Sequence, residues 1–86
     1  MQKLVVNTVP HRILFAQNLP EDCSQEVLLQ LFQPYPGFKE VRMVPGKREI
    51  AFVEFGEVIQ AGIALQQLTG FKLNATDTLN LTYANQ

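Results

Sequence analysis

The sequence predicts an α+β domain in the order βαββαβ, the split βαβ arrangement of ferredoxin-like folds, with a four-stranded antiparallel sheet and two helices on one face. Three observations carry this. Ile13–Gln17 and Arg48–Phe55 alternate side chains with the period of a strand, so Ala51, Val53 and Phe55 face one way and Ile50, Phe52 and Glu54 the other. Each is followed by a segment with helical apolar spacing. The connection before Arg48 is short enough to require an antiparallel neighbour.

The first strand, Ile13–Gln17, runs into turn residues Asn18 to Asp22. A helix follows, with Cys23 or Ser24 near its cap and Glu26 placed to bond back to the first-turn amides. Val27, Leu28, Leu31 and Phe32 form its apolar stripe, and Pro34 and Pro36 end it. In the second strand, Phe38–Val44, Val41 and Met43 face the core. Pro45 to Arg48 connects it to the third. The second helix spans Glu57–Leu68 with a stripe of Val58, Ala61, Ala64/Leu65 and Leu68, and Gly70 ends it in a left-handed conformation. Phe71–Leu73 forms a minor strand at most, and Leu79–Ala84 is the last strand, setting Leu79, Leu81 and Tyr83 against Asn80, Thr82 and Ala84. Right-handed crossovers place the first and third strands in the centre. One sheet face then stays open, with Phe15 and Phe52 side by side on it.

Composition narrows the function. A chain of 86 residues forms one domain, residues 12–86, after a linker or tail at 1–11. No apolar run is long enough for a membrane span, and no signal peptide precedes the domain, so a reducing intracellular compartment is expected. Cys23 and His11 are each the only residue of their type, and no cofactor or metal site is expected. No Gly-rich phosphate cradle or nucleophile–base pair supports an enzyme, and no small-molecule substrate is indicated. Seven Lys+Arg against eight Asp+Glu leave a net charge of −1, without the basic excess of a dedicated nucleic-acid binder. Lys47-Arg48 is the one adjacent basic pair.

Leu14-Phe15-Ala16-Gln17-Asn18-Leu19 resembles the hexamer signature of the RNA recognition motif, and Arg48 to Phe55 resembles its octamer. Ile13-Leu14-Phe15, Asn18-Leu19-Pro20-Glu21, Pro36 to Arg42, Val44-Pro45-Gly46, Gln60-Ala61-Gly62 and Gly70-Phe71-Lys72 are similar to the carboxy-terminal motif of the spliceosomal A/B-double-prime proteins. That resemblance spans residues 12 to 84. It implies a nuclear ribonucleoprotein component acting in pre-mRNA splicing, with RNA (single-stranded or snRNA) and other snRNP or spliceosomal proteins as partners.

The resemblance puts the base-stacking positions at Phe15, Ile50 and Phe52. Two are aromatic. Ile50 offers contact without a π-face, and Glu49 replaces the octamer glycine. Arg48 keeps the basic first position, next to Lys47. Gln17 can read a base edge, Arg42 can attract phosphate, and Asn80 and Thr82 are polar and uncharged. Glu40 and Glu54 repel phosphate. The expectation is weak or assisted binding of single-stranded RNA through the open sheet. The alternative is a protein-interaction module that docks a ribonucleoprotein partner and binds little RNA. Phe38, Phe55, Phe71, Tyr35 and Tyr83 are read as packing residues, and His11 as solvated.

Overall fold

The structure, a computed structural model, describes residues 9–84. The apolar run Leu4-Val5-Val6 and most of the expected linker or tail lie outside them, as do the last two residues. The elements are β1 (Ile13–Gln17), α1 (Gln25–Phe32), β2 (Phe38–Val44), β3 (Lys47–Phe55), α2 (Val58–Leu68) and β4 (Asn80–Tyr83). The sheet is antiparallel in the order β2-β3-β1-β4, so the first and third strands are central as expected.

One face of the sheet makes the core. Leu14 and Ala16 of β1, Val41 of β2, Ala51, Val53 and Phe55 of β3 and Leu81 of β4 are buried with Leu28 and Phe32 of α1 and Ala61, Ala64 and Leu68 of α2. The Phe55 ring meets Phe32 and Phe38 edge-on, with centroids 6.3 and 6.0 Å apart, a favoured aromatic geometry. Helix α1 packs on β2, and α2 on β1, β3 and β4. The small Ala61 and Ala64, both fully buried, let α2 approach the sheet closely.

The punctuation is specific. Ser24 caps α1, its hydroxyl accepting from the Val27 amide at 3.4 Å. Glu26 makes no reciprocal bond among the described residues, because Val27 holds the third helical position that such a bond requires. Pro45-Gly46 alone joins β2 to β3, and Gly46 adopts φ +79°, as the second central position of a type II turn demands. Strand β3 therefore begins at Lys47, one residue before the predicted start. Gly37 has φ +82°, and a Cβ there would run into the Gln60 side chain, whose Oε1 accepts from the Glu57 amide at the start of α2. Gly70 ends α2 at φ +84°. The minor strand reduces to one bridge, Lys72 with Thr78.

Several sequence expectations change. Val27 is 39% exposed and Val58 44%, so neither belongs to its helix's buried stripe. Val27 lies about 100° round the helix from Leu28 and so away from the Leu28–Phe32 line. Val58 is the first residue of α2 and borders an open cleft beside Pro10, His11 and Arg12. Phe71 is exposed, while its backbone holds the turn through bonds to Leu68 and Leu79. His11 is half-buried, and its Nδ1 accepts from the Ile13 amide at 3.0 Å, fixing the approach to β1. Ala84 follows the end of β4 and is buried, not set on the polar face.

The corrected α1 face is testable by urea unfolding. Leu28→Ala is expected to cost about 2–5 kcal/mol, and Val27→Ala no more than about 0.5 kcal/mol. Equal losses would contradict this packing.

Candidate nucleic-acid interface

The helix-free face of the sheet is assembled by register. Phe15 pairs with Phe52 across β1 and β3, Arg42 pairs with Phe52 from β2, and Thr82 pairs with Phe15 from β4. Four predicted site residues, Arg42, Phe52, Phe15 and Thr82, thus form one row across the sheet. Gln17 pairs with Asn80 in the next row, and Ile50 lies two residues along β3 from Phe52. Strand alternation requires this, since Leu14, Ala16, Ala51 and Val53 occupy the core side.

The two rings lie side by side, with centroids 5.3 Å apart and planes inclined by 38°. Both are half-buried and outside the helix-facing core. Their outer surfaces suit stacking with planar groups. Ile50, also half-buried, extends the platform as an aliphatic contact. Gln17, Asn80 and Thr82 border it with amide and hydroxyl groups, able to donate and accept hydrogen bonds.

The face ends differently on its two sides. At the loop end, Asn18 takes φ +58°, a left-handed conformation that asparagine tolerates. The next amide, of Leu19, donates to the Glu49 carbonyl at 3.0 Å and ties the β1–α1 loop to β3. A polar depression of about 520 Å³ lies here, lined by Asn18 to Pro20, Glu49, Thr76 to Thr78 and Asn80. Asn74 closes its floor loop by accepting from the Thr76 and Asp77 amides at 2.9 and 2.8 Å. Lys47 and Arg48 are exposed at the start of β3, and neither forms an ion pair among the described residues.

At the other end the charges are paired. Arg42 contacts Glu40 and lies 3.6 Å from Glu54, while Arg12 approaches the second Glu54 oxygen at 3.5 Å. The structure therefore brings Arg42 to two carboxylates as well as to the aromatic row. Arg12, which the sequence reading left at the start of the domain without a role, joins this cluster. Its carbonyl accepts from the Phe55 amide at 2.9 Å, extending the β1–β3 pairing by one bond. The signal that could have found it was Glu54, a carboxylate on an open face needing a cation from the neighbouring strand.

Cys23 is buried, and burial first, then the charge of Asp22, raises its thiol above the ordinary value. It is a neutral packing group. Among the described residues no three His, Cys, Asp or Glu are grouped to hold a metal ion, and no helix is long and apolar enough to cross a membrane.

Comparisons with known proteins agree with this fold. Residues 14–78 match the RNA recognition motif. The chain is 46% identical over 77 residues to U1 small nuclear ribonucleoprotein A of Drosophila melanogaster, covering 90% of this chain and 36% of that protein. It is equally similar over 77 residues to U2 small nuclear ribonucleoprotein B'' of Arabidopsis thaliana, covering 90% and 33%. The chain thus spans about a third of the length of these relatives. Among solved structures, the MEC-8 C-terminal RRM domain bound to AGCACA superposes with TM-score 0.72 at 30% identity, covering 86% of this chain and 90% of that one. The second RRM domain of a yeast poly(U)-binding protein gives 0.76 at 25%, covering 86% and 94%.

The Cys23 environment fixes the sign of a pH effect. A thiol whose value is raised by folding adds stability below its unfolded value, about 8.5, and that contribution is lost as pH rises through the folded value. Wild type is therefore expected to lose more stability than Cys23→Ala between neutral pH and the alkaline side of that range. Parallel curves in urea melts would refute the assignment.

Proposed function

This chain belongs to the RNA recognition motif family, and on that footing we propose that it binds single-stranded RNA through the open face of its sheet. The family is non-enzymatic. The observation that carries the reading is the row Arg42–Phe52–Phe15–Thr82, with two adjoining rings on a surface that no helix covers among the described residues. Bases stack on Phe15 and Phe52, Ile50 packs against a sugar or base edge, and Gln17, Asn80 and Thr82 supply hydrogen bonds. Lys47 and Arg48, in no ion pair among the described residues, offer cations at the loop end.

The grip is weak, or assisted by a partner. One stacking position is aliphatic, Glu49 lines the polar depression, and Arg42 already faces two carboxylates. The net charge of −1 adds no general attraction for phosphate. The relatives' names support a component of a spliceosomal small nuclear ribonucleoprotein, with a nuclear location, snRNA or other RNA as ligand, and other spliceosomal proteins as neighbours. A second reading, docking of a protein partner, is favoured by α2. That helix contains no charged residue and leaves Ile59 74% exposed, with Ile63 one turn on also exposed.

Titration of labelled single-stranded RNA at low salt separates the two. Phe15→Ala and Phe52→Ala are each expected to weaken binding by about 1–3 kcal/mol without unfolding the domain, and Ile50→Tyr, which adds a third π-face, to tighten it. Indifference to all three would remove the sheet face as the RNA site.

A further inference from the structure

The charge cluster where β1 begins and β3 ends on the open face has the form of a competitor for RNA. Glu54 stands opposite Glu40 on β2 and opposite Ile13 on β1. Two carboxylates directly across a strand pair repel, and Arg42 sits against both. Glu54 gives its other oxygen to Arg12. The result is two cations and two anions on one surface, with Glu54 as the shared member. The arginine side chains are 52% exposed, whereas that of Glu54 is only 19% exposed. The contacts of Glu54 at 3.5 and 3.6 Å are ion pairs longer than good hydrogen bonds. The Arg42–Glu40 pair is half-exposed on both sides and exposed pairs are weak, and both guanidinium groups are open enough to exchange to another anion.

Resting on the RNA-binding reading above, we propose that Arg12 and Arg42 are a phosphate-binding pair, and that Glu54 and Glu40 hold this pair in check by occupying it in the free domain. A nucleotide stacked on Phe52 carries its phosphate beside Arg42, the register partner of Phe52. The guanidinium fork suits phosphate as well as carboxylate. Binding is then an exchange: phosphate replaces carboxylate, and the released carboxylates recruit cations from solution. That uptake cancels part of the counterion release that normally drives phosphate binding. The domain therefore discriminates against RNA held by charge alone and depends on base stacking for its net affinity.

The test uses a fluorescein-labelled single-stranded RNA, with salt titrations of wild type, Glu40→Gln/Glu54→Gln, and a charge-matched control, Glu21→Gln/Glu26→Gln, placed before and on α1. The open-face variant is expected to bind about three- to tenfold tighter at low salt. Its plot of log K against log salt should steepen by about 1.4, from about 0.7 for each of two phosphates. Adding Arg12→Gln/Arg42→Gln should abolish both gains. If wild type binds through Phe15 and Phe52 but the open-face variant matches the control in slope, the check on the arginines is refuted and RNA binding stands. If no protein binds RNA even at low salt, both readings fall. Chemical-shift comparison of the free proteins verifies that each variant keeps the fold.

Discussion

The pairing of β1 with β3, in the register that sets Leu14 against Val53 and Phe15 against Phe52, is the constraint from which both faces of the sheet follow. Successive side chains on a strand point to opposite faces, so a slip by one residue would exchange them. A slipped β1 would put Phe15 under the helices and expose Leu14, and a slipped β3 would do the same with Phe52 and Val53. The core resists this, because α2 meets the sheet through Ala61 and Ala64, which leave no room for a larger face. The same hydrogen-bonded ladder continues past β1 to the Arg12 carbonyl. Fold and site are thus specified by one pairing.

Much of this was legible in the residues. The alternation of Ile50, Phe52 and Glu54 with Ala51, Val53 and Phe55 is strong because one face is wholly apolar. The glycines at 46 and 70 mark turns that need positive φ. What was not legible depended on placement in three dimensions. Val27 and Leu28 are both apolar neighbours, and only the direction from which the sheet approaches selects Leu28. His11 and Arg12 looked like approach residues because their partners, the Ile13 amide and the Glu54 carboxylate, become partners only once β1 lies beside β3. Phe71 shows the reverse: its place is set by backbone bonds to Leu68 and Leu79, which leave its ring in solvent.

Charge has a different role here from packing. Ion pairs on an exposed sheet are worth about 0–1 kcal/mol each, far less than the burial of Phe32 or Phe55. Their importance is in the potential they leave over the rings. Arg12, Arg42, Glu40 and Glu54 sum to zero at one end of the face, whereas Lys47 and Arg48 at the other form no ion pair among the described residues. Glu49 and Asp77 line the depression at that same end, so an approaching polyanion meets cations accompanied by carboxylates at both ends, paired at one and open at the other.

The spacing of Phe15 and Phe52 also bears on the state of the RNA itself. Bases stacked within a strand of duplex are separated by about 3.4 Å along the axis, whereas these rings lie side by side with centroids 5.3 Å apart. Two neighbouring bases cannot rest one on each ring and remain stacked on each other. Occupying both rings requires the strand to be splayed across the sheet, with its pairing and internal stacking given up. On the proposed reading, a surface of this shape favours RNA that is already unpaired and unstacked, so the conformation of the ligand matters as much as its concentration.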